Sequence, residues 1–242
     1  KNEFWSNVWD FTNFVGEKKG KIFKSAPEFT KNKFFDECEI NYAENCLTRE
    51  DDDDSIIFHS ENKIKRNYSW RELRSAVFKF SNYLKINNIK QNDRIAAILP
   101  NIPETVISFL STAQLGAIWS SCSSDFGKKA IIDRFKQIEP KVLLFSDYYF
   151  YNNKKVDTTK IIKDVIYNIP SIEKIILIPY EFIETNYQLD FEYDNLYNIL
   201  QQEIEYSKFE KFNFNHPLYI LYSSGTTGAV SYTHLTLPTT PV

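Results

Sequence analysis

The 242-residue sequence has no methionine, only three cysteines, no apolar run approaching membrane-spanning length and no surplus of basic residues. Each lack narrows the possibilities. Methionine is absent even from position 1, so the natural start and any targeting segment are expected to lie upstream of Lys1. Cys38, Cys46 and Cys122 are odd in number and show no CxxC or His-paired spacing. That argues against a disulfide framework or a zinc site and predicts reduced thiols in a cytoplasmic protein. Runs such as "IILIPY" are far too short to cross a bilayer, so no membrane partner is expected. Lys and Arg number 29 against 32 Asp and Glu, a net charge of -3 with no basic stripe, which argues against nucleic acid as a partner. The Walker A pattern GxxxxGK[ST] is missing too, and no internal repeat is evident.

What is present is a hydrophobic fraction of 43%, enough for the core of one large domain or two modest ones. Residues 1–50 are aromatic and lack a sustained period, which predicts short helices and loops lying on a larger body. "EDDDDS", Glu50 to Ser55, reads as a solvated loop, because a cation needs converging ligands and not merely adjacent charges. From Ser55 short apolar strands alternate with amphipathic helices. "SIIFHS" reads as a strand. Ser69 then offers an N-cap with Glu72 three residues on, and Leu73, Val77, Phe80 and Leu84 fall on one helical face. "DRIAAILP", "AIWSS", "KVLLFSD", "KIILIPY" and "PLYILYS" read as further strands. Helices are predicted in "NIPETVISFLSTAQLG", where Pro103 suits a first turn and Gly116 a C-terminal cap, and in "DFGKKAIIDRFKQIEP", stopped before Pro140. Two more are predicted near residues 158–167 and 195–205. Continuously apolar strands separated by helices predict an α/β fold, a parallel sheet with helices on both faces joined by right-handed crossovers.

In such folds ligands bind beyond the carboxyl ends of the strands. The strand "PLYILY" runs into "SSGTTG", formed by Ser223, Ser224, Gly225, Thr226, Thr227 and Gly228. The two glycines let the backbone approach a ligand, and the four hydroxyls stand beside backbone N–H groups, so together they suit phosphate oxygens. Composition alone reads more readily as a surface turn. However, "YSSGTTGA" after a parallel strand resembles the phosphate-loop signature of the adenylate-forming superfamily of acyl-CoA synthetases, luciferases and peptide-synthetase adenylation domains. "NYAENCL", "LPNIPETV", "GAIWSSCSSDFG", "IDRFKQIEPKVLLF" and "HPLYILYSSGTTGA" are similar to the acetoacetyl-CoA synthetase family, over a span from about Phe4 to Gly228. Acetyl- and propionyl-CoA synthetases usually carry a "GAxHS…FxGFS"-like segment where Trp119 and Asp125-Phe126-Gly127 stand here. Ser124 departs from the family, which commonly has proline at that place.

The resemblance implies the incomplete N-terminal part of an adenylate-forming large domain: residues 1–50 as a cap segment, 51–228 as a partial AMP-binding domain and 229–242 as a non-native tail. It implies acetoacetate, ATP and coenzyme A as substrates, with Mg2+ on the phosphates. Ser223, Ser224, Gly225, Thr226, Thr227 and Gly228 would hold the β- and γ-phosphates, Thr226 and Thr227 foremost. Ser123, Ser124, Asp125 and Phe126 would form a wall of the coenzyme A channel. Trp119 is either a pocket wall or a core aromatic; Lys154 and Lys155 either meet a nucleotide phosphate or lie on a solvated turn. His216 has no evident Ser or Cys partner and reads as structural. The alternatives are a synthetase for acetate, propionate or a similar acid, and a non-catalytic nucleotide- or coenzyme A-binding α/β domain. The family's adenine- and ribose-binding segments, hinge and C-terminal lysine lie further along than this sequence reaches, so these residues by themselves are expected to lack ligase activity. The Pro-Lys pair usual after the phosphate loop is replaced by "AVSY". "VSYTHLTLPT", Val230 to Thr239, resembles a translated transposase sequencing adapter.

Overall fold

The computed structural model describes residues 1–61, 63–203 and 208–222, together with the backbone of 232–235. The local signals act where the sequence puts them. Ser69 Oγ accepts from the Glu72 N–H at 3.2 Å while the Glu72 carboxylate accepts from the Ser69 N–H at 2.8 Å, closing a capping box at the start of helix Trp70–Ile86. Leu73, Val77, Phe80 and Leu84 on that helix are all buried. Pro103 opens helix Pro103–Gln114, and the chain leaves it through Gly116 at φ +65°. A Cβ on Gly116 would approach the Phe212 ring to 2.7 Å, so backbone and neighbour both demand glycine there.

The main sheet has the order Asp194–Asn195, Lys174–Ile178, Val142–Ser146, Arg94–Ile98, Ile118–Cys122, Tyr219–Tyr222, Tyr232–Leu235. The first six strands run parallel, and Tyr232–Leu235 closes the edge antiparallel to Tyr219–Tyr222. Alternate residues serve opposite faces. Ile95, Ala97, Leu144 and Ile176 join a core with helices Trp70–Ile86, Pro103–Gln114 and Leu196–Gln201. Ala96, Ile98, Leu143, Phe145 and Leu177 join a second core with helices Lys128–Phe135 and Thr159–Asn168. Burial on both faces is why these strands read as unbroken apolar runs. The N-terminal segment adds helix Asn2–Phe11 and a satellite core in which Trp9, Phe35, Ile40 and Phe214 meet.

Three details differ from the sequence expectation. Asp54–His59 stands outside the parallel sheet, in an antiparallel hairpin with Lys65–Ser69. Its burial alternates, as in a strand with one covered face, and its partner is too polar to announce itself. A second hairpin pairs Tyr148–Tyr151 with Lys154–Asp157 across Asn152 and Asn153, at φ +50° and +59°. Two left-handed Asn residues between strands form the turn that suits a tight hairpin. The helix expected to run on to Pro140 ends at Phe135, and the one expected near 195–205 ends at Gln201 in its described part, residues 204–207 lying outside the described residues.

His216 enters the last parallel strand as a structural residue. Its Nε2 lies 2.7 Å from the Gly116 carbonyl oxygen, and its ring stacks on Phe212 at 5.4 Å. Burial holds its pKa below the ordinary 6.5, against the opposing effect of the Gly116 bond. Because the folded-state pKa is depressed, the contribution of neutral His216 is complete above the unfolded value and is lost as pH falls through the folded one. Urea unfolding between about pH 7.5 and about pH 5.5 is therefore expected to show a smaller loss of stability in His216→Gln than in the parent.

Candidate functional site

The site is built at the carboxyl edge of two neighbouring strands. Tyr219 pairs with Trp119, the Trp119 N–H donates to the Leu218 carbonyl at 3.1 Å, and Ser120 Oγ donates to the Ile220 carbonyl at 3.1 Å. Strands Ile118–Cys122 and Tyr219–Tyr222 therefore end side by side, at Cys122 and Tyr222, on the same edge of the sheet. Ser223, Ser224, Gly225, Thr226, Thr227 and Gly228 themselves lie outside the described residues.

The turn Ser123–Phe126 is closed by the Phe126 N–H donating to the Ser123 carbonyl at 3.2 Å. Ser123, Asp125 and Phe126 are exposed; Ser124 is buried, and its hydroxyl has no hydrogen-bond partner. The Arg134 guanidinium lies 4.8 Å from the Phe126 ring centroid and 5.8 Å from that of Tyr222, and the Tyr222 hydroxyl donates to the Arg134 carbonyl at 2.6 Å. Arg134 thus ties the turn to the last residue before the Ser/Thr/Gly segment. Sequence reasoning missed it, since both aromatic partners are remote along the chain and its neighbours Ile131 and Phe135 carry the core signal of that helix. Cys122 is buried behind the turn, and burial pushes its thiol up to about 12 despite the opposing charge of Arg134. It stays protonated at neutral pH and is no nucleophile.

Trp119 is buried, with its indole N–H donating to Ser121 Oγ at 3.1 Å and its ring edge-on to Phe109 at 6.0 Å. It belongs to the core beneath the edge. Lys154 and Lys155 are exposed on the second hairpin, the Lys155 ammonium 3.6 Å from the Tyr148 ring centroid. That hairpin borders the turn: burial first, and then the charge of Asp125, raises the pKa of the Tyr149 hydroxyl. The Asn-Asn pair between aromatic and basic residues was the available sequence signal for it.

Asp147, directly after strand Val142–Ser146, is a buried carboxylate that the sequence reading passed over. Its Oδ1 accepts from the Tyr148 and Tyr180 N–H groups at 2.9 and 2.8 Å, and Oδ2 from the Tyr187 hydroxyl at 2.9 Å. Full satisfaction makes it a clamp between loops. Among the described residues no three His, Cys, Asp or Glu side chains gather to hold a metal ion, and no helix is long and apolar enough to cross a membrane. The edge is thus equipped to bind and position a ligand, through exposed turn residues, a cation between two aromatic rings and a basic hairpin alongside.

Known proteins agree with this architecture. Acetoacetyl-coenzyme A synthetase from Rhizobium meliloti (strain 1021) is 36% identical over 237 residues, covering 94% of this chain and 35% of the relative. Acetoacetyl-CoA synthetase from Xenopus tropicalis is 34% identical, again covering 94% and 35%. Among solved structures, acetoacetyl-CoA synthetase from Streptomyces lividans superposes with a TM-score of 0.86 at 30% identity, over 96% of this chain and 35% of that one. The chain spans about a third of the length of these relatives. The family model described as AMP-binding enzyme matches residues 44–234, most of the sequence and the whole of the parallel sheet, and the chain belongs to that family.

Proposed function

We propose that the protein carrying this chain is an ATP-dependent acid–thiol ligase that activates acetoacetate and transfers it to coenzyme A. A carboxylate oxygen attacks the α-phosphorus of ATP and pyrophosphate leaves; the coenzyme A thiolate then attacks the acyl carbon and AMP leaves. Adenylation replaces an oxide that cannot depart with a stabilised phosphate leaving group. The protein's share is positioning and charge neutralisation. Ser223, Ser224, Gly225, Thr226, Thr227 and Gly228 receive the β- and γ-phosphates in this reading, and Ser123, Asp125 and Phe126, with Lys154 at the border, face coenzyme A, while Ser124, expected there too, is buried within the turn. In this reading Mg2+ arrives on the phosphates of ATP.

The observation that carries the reading is the parallel pairing of Tyr219 with Trp119, which ends the strand before the Ser123 turn and the strand that precedes Ser223 in sequence at one edge. Gly127 adds to it. It is the N-cap of helix Lys128–Phe135, so the turn residues 123–126 stand at the start of a helix directly after the strand end. The three free cysteines fit a reducing cytoplasm. Residues 229–242 are read as foreign to the enzyme, and resequencing the source DNA through codon 229 tests that.

ATP–pyrophosphate exchange by the full-length protein with a panel of short acids tests the substrate. Acetoacetate is expected to support the fastest exchange. Faster exchange with acetate or propionate would transfer the protein to the short-chain alternative, and no exchange with any acid would leave a binding module.

A further inference from the structure

Helix Lys128–Phe135 sends Ile131 and Phe135 into the second core, while Arg134, in its last turn, lies half-buried among the segments of the carboxyl edge. The Arg134 guanidinium stands over two rings, 4.8 Å from the Phe126 centroid and 5.8 Å from that of Tyr222. Those rings are held unequally. Tyr222 packs against the second core, and its hydroxyl donates to the Arg134 backbone carbonyl at 2.6 Å. Phe126 is 37% exposed, on a turn closed by its own N–H donating to the Ser123 carbonyl. An exposed aromatic side chain has more than one staggered rotamer open to it, so a cation over one face selects among them. The guanidinium can do so because it is itself anchored: Nη1 donates to the Ala130 carbonyl at 2.9 Å, one turn back.

Two parts of one residue therefore reach two segments. The backbone carbonyl of Arg134 holds the end of strand Tyr219–Tyr222, a contact that any side chain at this position would keep. The guanidinium holds Phe126, a contact that depends on arginine.

We propose that Arg134 is a positioning residue for the acyl-transfer half of the reaction: its guanidinium, fixed by Tyr222 and the Ala130 carbonyl, keeps the Phe126 ring in the orientation that meets coenzyme A. The inference rests on the ligase reading, in which the Ser123 turn faces coenzyme A, and gives Arg134 no contact with substrate. Loss of the guanidinium lowers the fraction of molecules with Phe126 correctly turned, and the apparent affinity for coenzyme A falls by that fraction. Adenylation is spared, because the strand end stays tied to the backbone.

The full-length parent, Arg134→Met, Phe126→Ala and the double variant are compared in two assays with the acid that the parent uses best. One is ATP–pyrophosphate exchange without coenzyme A; the other is AMP release at varied coenzyme A concentration. Arg134→Met is expected to raise the KM for coenzyme A about fivefold, the scale of one cation–π contact, with exchange within about twofold of the parent. In the Phe126→Ala background the same substitution is expected to raise that KM no further, a non-additivity that a general loss of stability would not produce. Arg134→Lys keeps the cation without the planar face and is expected to fall between parent and Arg134→Met; it carries the same comparison if Arg134→Met folds poorly. An unchanged KM, equal losses in both assays, or the full effect in the Phe126→Ala background would each overturn the role of Arg134 and leave the ligase reading standing. A parent protein that exchanges pyrophosphate with no acid overturns the ligase reading, and this inference with it.

Discussion

Arg66→Met is expected to destabilise the fold by about 3–5 kcal/mol, because it strands a carboxylate in the interior. Glu104 is fully buried at the start of helix Pro103–Gln114, and Arg66 forks onto it with Nη1 and Nη2 at 2.5 and 3.0 Å from the two carboxylate oxygens. The Tyr68 hydroxyl donates to the same carboxylate at 2.8 Å; burial first, and the Glu104 charge next, pushes that hydroxyl's pKa up and keeps it a donor. Arg66 also donates to the Tyr180 carbonyl at 3.3 Å, so one side chain pins the Asp54–Ser69 hairpin to the sheet domain at two points. With methionine in its place the carboxylate retains, among the described residues, the tyrosine and the helix N-terminus, which together offset a fraction of its desolvation. The double variant Arg66→Met, Glu104→Gln removes the charge and leaves an amide oxygen for Tyr68, and is expected to recover most of the loss. Urea unfolding of the parent, both single variants and the double variant measures the coupling. A double variant no more stable than Arg66→Met would show that the hairpin is held by packing of the Arg66 stem instead.

Signals that depend on neighbours in sequence were legible, and those that depend on partners across space were not. The capping box at Ser69, the proline at the start of helix Pro103–Gln114 and the glycine after its end announce themselves within four residues. Strands Arg94–Ile98, Ile118–Cys122, Val142–Ser146 and Lys174–Ile178 were legible because they are buried on both faces, whereas Tyr219–Tyr222 was legible as an apolar run although Leu221 is exposed. Asp54–His59 was assigned to the alternation of strands and helices because its apolar core looks like theirs, while its real partner, Lys65–Ser69, hides behind a cap signal. The Tyr148–Asp157 hairpin was passed over because its second strand is basic and half solvated. For the candidate site, composition and resemblance supplied the loop residues as a proposal only, since Ser223 to Gly228 lie outside the described residues. Arg134, which links Phe126 to Tyr222, carries no mark of that role in sequence because its meaning arises only once both strands sit side by side. The Arg66–Glu104 pair, 38 residues apart, is illegible for the same reason.

Replacing Thr226 and Thr227 together by alanine is expected to lower acetoacetate-dependent ATP–pyrophosphate exchange by the full-length protein by at least about 100-fold, the scale of losing a preorganised donor to developing charge. As the α-phosphorus is attacked, negative charge accumulates on the departing β- and γ-phosphates, so donors placed there bind the transition state better than bound ATP. The loss is therefore expected mainly in kcat, with a smaller rise in the KM for ATP. The strand that precedes the segment in sequence is held at its end: the Tyr222 hydroxyl donates to the Arg134 carbonyl at 2.6 Å, and Ser120 Oγ donates to the Ile220 carbonyl. Alanine keeps the backbone N–H groups and disturbs neither tie, which predicts an unchanged unfolding midpoint and a residual rate from the backbone donors alone. If the segment were an ordinary surface turn, neither kcat nor KM would move by more than about twofold, the scale of a surface substitution. An effect confined to KM would point to hydroxyls that grip ATP uniformly, a loop that binds nucleotide without contributing to the chemical step.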